Sequence, residues 1–142
     1  VIYVRDVMAT KVRTVSSRDT VANAARLMSR WKIGSLVIIE GKKPVGIITE
    51  GDVSKCVGKG MNPAKTSVAF QKKRLITTEP GERIEVAAKL MASAGVKKLP
   101  VMDGDDLVGM LTQTDIVNTS FSLVTSLKEM VRARYRPPDF EP

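Results

Sequence analysis

The sequence predicts a mixed α/β (α+β) fold built from two copies of one β-α-β-β-α unit packed sheet to sheet. Two observations carry this. Residues 12–53 align with residues 75–116 without a gap, at a constant offset of 63. Within each copy, helical and strand-like apolar patterns follow one another in the same order. Eleven identities share that register: Thr14/Thr77, Ala24/Ala87, Ala25/Ala88, Leu27/Leu90, Met28/Met91, Leu36/Leu99, Gly41/Gly104, Val45/Val108, Gly46/Gly109, Thr49/Thr112 and Asp52/Asp115.

Each copy opens with a short strand, near Arg13 to Val15 and near Leu75 to Thr77. An amphipathic helix follows. From Thr20 to Trp31, Val21, Ala24, Ala25, Leu27 and Met28 fall on one stripe, and from Arg83 to Ala94, Ile84, Ala87, Ala88, Leu90 and Met91 do the same. Two apolar runs around a glycine-bearing bend then give a hairpin. These are Ser35 to Ile39 and Pro44 to Ile48 in the first copy, Leu99 to Met102 and Leu107 to Leu111 in the second. A last helix runs from Glu50 to about Val57, and its counterpart from Gln113 through Val117 and on past Leu123, Leu127 and Met130 to about Arg134, before Pro137-Pro138. Gly58 to Pro63 reads as linker, followed by a short helical turn from Ser67 to Gln71. The expected division is 1–60, 61–130 and a basic, then proline-rich tail 131–142. A three-stranded sheet with helices on one side has a bare face, which the second copy covers.

Composition removes most chemistry. With no histidine among 142 residues, imidazole bases, Ser-His-Asp and Cys-His nucleophiles and His-ligated zinc are excluded. Cys56 is the single cysteine, so it has no disulfide or thiolate-metal partner and reads as a small buried side chain. Gly58-Lys59-Gly60 lacks the spacing of a phosphate-binding P-loop. No apolar run approaches a membrane span, and Arg5 and Asp6 spoil any secretory signal in the first residues, so a cytoplasmic protein is expected. The net charge of +8 favours anionic partners. Lys42-Lys43, Lys72-Lys73-Arg74 and Lys97-Lys98 are, taken singly, ordinary solvated clusters. Arg132, Arg134 and Arg136 with Tyr135 keep a nucleic-acid-binding alternative open, although no nucleic-acid motif accompanies them.

The two copies, the leading Arg5-Asp6-Val7-Met8, and the pair Gly46-Ile47-Ile48-Thr49-Glu50-Gly51-Asp52 and Gly109-Met110-Leu111-Thr112-Gln113-Thr114-Asp115 resemble the cystathionine β-synthase-type (CBS) domain family. The resemblance covers about residues 3–120. It implies a Bateman module, two CBS repeats related by pseudo-twofold symmetry with two clefts that take AMP, ADP, ATP or S-adenosylmethionine. It also implies a stand-alone regulatory sensor without catalysis, no metal and no catalytic cofactor, a homodimer, and a separate effector protein as partner.

Thr-x-x-Asp after a strand is equally what a helix start wants, a hydroxyl cap with an acid near the positive end of the dipole. The same acid can accept hydrogen bonds from both hydroxyls of a ribose, so capping and binding are compatible. Carried over by position, the main cleft combines Asp115, Thr112 and Met110 with Met8, Arg13, Ile33 and Gly34. The second cleft combines Asp52, Thr49 and Ile47 with Gln71, Ile76, Val96 and Lys97. The resemblance sets Lys97 and Lys98 beside the phosphate in the Asp115 cleft, which is therefore expected to bind anionic nucleotide more tightly. For Ile33, core packing is an equal alternative, and Lys97 and Lys98 can also simply flank a strand.

Overall fold

The computed structural model describes residues 1–71 and 73–134. Lys72 and residues 135–142 of the expected tail, with Tyr135, Arg136 and Pro137-Pro138, lie outside the described residues, while 131–134 continue the last helix. The chain runs α1 (Val4–Val7), β1 (Thr14–Ser16), α2 (Val21–Trp31), β2 (Ser35–Glu40), β3 (Lys43–Thr49), α3 (Glu50–Gly58), α4 (Ile84–Ala94), β4 (Lys98–Asp103), β5 (Asp106–Thr112) and α5 (Gln113–Arg134).

The duplication is visible in backbone detail. β2 pairs antiparallel with β3, and β4 with β5, each with a register shift at the equivalent step, Ile38/Ile39 and Val101/Met102. The hairpins bend at Gly41 and Gly104, whose φ angles are 63° and 59°, a left-handed conformation that glycine adopts without a side-chain penalty. α2 begins at Thr20, whose side chain accepts the Asn23 N–H, and ends at Lys32 with φ 54°. The equivalent helix α4 ends at Gly95 with φ 67°.

Two expectations change. In the first unit β1 lies parallel to β2 from Thr14 to Ser16, completing a three-stranded sheet. The strand expected near Leu75 to Thr77 is reduced to a single parallel bridge between Thr78 and Val101, leaving β4 and β5 as a two-stranded sheet. Ser17 N–H donates to the Ile39 carbonyl at 2.8 Å. Its counterpart in the second unit is Pro80, which has no N–H, so that rung of the ladder cannot form. The helical turn expected from Ser67 to Gln71 is a non-helical turn, tied to the start of α2 by Val21 N–H to Thr66 O and Val68 N–H to Asp19 O.

There are two apolar cores. One gathers Val15, Val21, Ala24, Met28, Leu36, Ile38, Ile48, Cys56 and Val68, and the other Val4, Ile84, Ala87, Met91, Leu99, Val101 and Leu111. The leading segments cross over. Val68 and Phe70, which precede the second unit, pack on the first core. Val4, Val7 and Met8, which precede the first unit, pack on the second. Fixing those residues therefore fixes one unit against the other. Ser35 and Lys98, equivalent positions 63 apart, also touch directly through a 3.0 Å hydrogen bond, which puts them beside the line relating the copies. No helix among the described residues is long and apolar enough to cross a membrane.

Candidate functional site

α3 and α5 each begin where a strand stops, and both starts make the reciprocal cap that their sequence allows. Asp52 N–H donates to Thr49 Oγ1 at 3.3 Å while Asp52 Oδ2 accepts the Thr49 N–H at 2.9 Å and its hydroxyl at 3.1 Å. Asp115 N–H donates to Thr112 Oγ1 at 3.1 Å, and Asp115 Oδ2 accepts the Thr112 N–H at 3.2 Å. Each Thr–Asp pair thus satisfies two backbone N–H donors at its helix start reciprocally. In each, Oδ1 is not used by the cap.

Beyond the cap the two acids live in different surroundings. Asp52 opens onto a cavity of about 860 Å³, within the range of sites that enclose small molecules. The cavity is walled by both units: Ile38, Val45, Gly46, Ile47 and Thr49 from the first, Gln71, Leu75, Ile76 and Val96 from the second and the segment leading into it. All seven residues grouped with Asp52 by position, Gln71, Ile76, Val96, Lys97, Ile47, Thr49 and Asp52 itself, line this one space. Its polar lining includes Lys55, Lys73, Arg74, Lys97 and Lys98 against Glu40, Glu50 and Asp52, a surplus of two positive charges in a partly desolvated space.

Three of the residues expected around Asp115 belong to this same space, Lys97 being expected with both acids. Gly34, Lys97 and Lys98 all line the Asp52 cavity. The reason is the contact between equivalent positions. Because β4 starts against the start of β2, the Lys98 ammonium donates to Ser35 Oγ and faces Glu50 at the head of α3. Burial lowers the Lys98 pKa below its ordinary value, partly opposed by the Glu50 carboxylate. Arg13 stacks its guanidinium on the Trp31 ring, 4.3 Å from the centroid. Ile33 packs against the first core. Met8 packs on the second core, and Met110 exchanges both backbone hydrogen bonds with Ala9 at 2.9 Å.

The residue equivalent to Ala9 is Lys72, which lies outside the described residues. Gly46 and Gly109 are equivalent, yet a methyl group on Gly109 would lie 2.6 Å from Met8 Sδ and 2.9 Å from the Ala9 carbonyl, whereas on Gly46 the one described neighbour within 4 Å is Ile38 Cδ1 at 3.5 Å. Residues 8 and 9 lie over the β5 floor of the second unit. In the first unit, Gly46 and Ile47 of β3 face the cavity instead.

Asp52 itself is almost fully buried, and Lys73 Nζ donates to its free Oδ1 at 3.0 Å. Burial works to raise its pKa, but the Thr49 backbone hydrogen bond and the Lys73 ammonium outweigh that, so the carboxyl titrates below its ordinary 3.8 and is ionised near neutrality. In the sequence Lys73 and Arg74 are visible only as part of a basic run, and Lys55 and Glu50 as helix residues. The one signal pointing to Lys73 and Arg74 is that they closely follow Gln71 in the segment leading into the second unit. Among the described residues no cluster of acidic or cysteine side chains could hold a metal ion.

Comparison with known proteins matches this architecture. A family model for the CBS domain fits residues 4–59 and again residues 68–122. An uncharacterised protein of Methanopyrus kandleri is 34% identical over 135 residues, covering 92% of this chain and 69% of the relative. The CBS domain-containing protein YhcV of Bacillus subtilis is 28% identical over 120 residues, covering 84% of this chain and 86% of that one. The solved CBS domain pair of protein MJ0100, in complex with 5′-methylthioadenosine and S-adenosyl-L-methionine, superposes with a TM-score of 0.77 at 26% identity, covering 85% of this chain and 97% of that structure. With both of its units matched and most of its length accounted for, the chain belongs to the CBS-domain family.

Proposed function

We propose that the chain is a regulatory module that binds an adenine nucleotide, AMP, ADP or ATP, in the Asp52 cavity and performs no chemistry on it. The observation that carries this is the pairing, in one cavity, of an ionised buried carboxylate at a helix start with five basic side chains on the surrounding walls. The carboxylate suits a ribose diol, and the apolar surfaces of Ile47, Ile76 and Val96 suit a flat base between the units. Lys97 and Lys98 suit phosphate oxygens, where an ammonium held half out of water makes strong charge-assisted hydrogen bonds. Lacking histidine throughout and, among the described residues, any metal-ligand cluster, the cavity offers recognition and little catalytic equipment.

Binding between two units can regulate only through unequal affinity for two arrangements of those units. The crossed-over leading segments and the Ser35–Lys98 contact supply the mechanical link. Self-association belongs to the same reading, with Val57, Met61 and Val117 as exposed apolar helix and linker residues. In the segment after Met61, Val68 and Phe70 are already committed to the first core.

S-adenosylmethionine is the second reading, favoured by the ligands named for the MJ0100 structure. The positive surplus of this cavity argues for phosphate over a sulfonium cation, which like-charged walls would repel. Calorimetric titration with AMP, ADP, ATP, S-adenosylmethionine and 2′-deoxy-AMP tests the proposal. Tight AMP binding that weakens on loss of the 2′-hydroxyl supports it. Equal affinity for deoxy-AMP, or binding of S-adenosylmethionine alone, overturns it.

A further inference from the structure

We infer that Lys73 is a displaceable guard on the sugar-binding carboxylate, and that its displacement makes the cavity select nucleoside phosphates over nucleosides. This inference rests on the nucleotide-binding proposal. One carboxylate has few acceptor sites to share. Asp52 Oδ2 already accepts two hydrogen bonds from Thr49, and Oδ1 carries the Lys73 ammonium. A ribose diol arriving at Asp52 must meet Oδ1, the oxygen that Lys73 holds.

The two partners of the ion pair differ in how firmly they are held. The Asp52 side chain is 7% exposed and fixed by its cap, while that of Lys73 is 57% exposed and has no second hydrogen-bond acceptor among the described residues. An ion pair with one solvated, flexible partner is weak, so the sugar can displace it. The consequence differs between ligands. A neutral nucleoside takes the carboxylate and leaves the ammonium with no counter-charge in an already positive cavity. A nucleotide brings phosphate oxygens into the same space, and the displaced ammonium regains an anionic partner. Lys73 thus penalises the nucleoside and offsets that penalty for the nucleotide. The equivalent residue of the first unit is Thr10, which cannot guard Asp115 in this way.

The test is titration of the whole chain and of Lys73→Met with adenosine and with AMP. Methionine keeps most of the stem and removes the charge. The expected result is that adenosine binds up to about fivefold more tightly to Lys73→Met, AMP gains nothing or weakens, and the preference for AMP over adenosine shrinks. Lys73→Arg keeps the original preference. The unmodified chain gives an independent measure: added salt tightens adenosine, by loosening the guard, and weakens AMP. An unchanged AMP-to-adenosine ratio in Lys73→Met, or adenosine weakening with salt, overturns the inference while leaving nucleotide binding intact. Failure of the unmodified chain to bind either ligand overturns both readings.

Discussion

Asp52 and Asp115 cap their helices in the same way, at equivalent positions of a duplicated sequence, yet one faces a two-walled cavity and the other does not share it. The described contacts over each unit differ as well. Ala9 pairs with Met110 and Met8 lies close to Gly109, whereas Gly46, Ile47 and Gln71 line the cavity. The basic residues then follow the open side. A repeat can therefore conserve a site's local chemistry and still divide the labour between its copies through contacts that are not local.

The sharpest way to break this comparison is to neutralise each acid. Asp52→Asn is expected to weaken AMP binding by about 1.5–3 kcal/mol, roughly ten- to hundredfold, because a charged acceptor for two hydroxyls is lost. Asp115→Asn leaves calorimetric AMP affinity nearly unchanged. Equal losses in the two variants would mean that the two acids serve binding equally.

Next in size is the overlay itself. Gly109→Ala forces a methyl group against Met8 Sδ and the Ala9 backbone and is expected to destabilise by about 1–3 kcal/mol in denaturant unfolding. At Gly46→Ala the nearest described atom stands at ordinary contact distance, and stability is expected to stay within about 0.5 kcal/mol of the original. A tolerated Gly109→Ala would show that residues 8 and 9 are easily lifted from the second unit.

Lys98 sharpens the charge asymmetry. Its pKa is lowered by burial from the ordinary 10.5, and a bound phosphate would hold the proton in place. AMP affinity is therefore expected to fall as pH rises through that lowered pKa, before an ordinary lysine titrates, while adenosine affinity does not follow. For the empty fold the sign is opposite. Below the lowered pKa the folded state bears the full penalty of a buried ammonium, so stability rises as pH climbs from there toward 10.5. Lys98→Met should abolish both trends.

The smallest effects lie at the helix ends. Lys32 and Gly95 occupy the same left-handed position, with φ 54° and 67°. Lys32→Gly should stabilise by up to about 1 kcal/mol and Gly95→Ala should destabilise by a similar amount, read from shifts in unfolding midpoint at constant slope.

Much of this fold is legible in the sequence because it is local. Helical stripes, hairpin glycines and the Thr49/Asp52 and Thr112/Asp115 pairs lie within a few residues of their partners, and the constant register lets each copy interpret the other. The grouping of Gln71, Ile76 and Val96 with Ile47, Thr49 and Asp52 comes from the family resemblance, and these residues do line one cavity. The features hidden from the sequence are non-local or subtractive. Pro80 removes one rung of a ladder that the pattern at Leu75 to Thr77 suggests is complete. The ammonium of Lys98 crosses to Ser35 and faces Glu50 of the other unit, and Lys97 and Lys98 both line the Asp52 cavity. Lys73 reads as an ordinary basic surface residue until its 3.0 Å contact with Asp52 is seen.

The central claim is that the Asp52 cavity, rather than the Asp115 side, receives the nucleotide, and co-crystallisation with AMP tests it most directly. The expected result is density for the ribose on Asp52 Oδ1, the phosphate among Lys97, Lys98 and the displaced Lys73, and Met8 still seated on Gly109. A nucleotide bound against Asp115, with the Lys73–Asp52 pair intact, would contradict it.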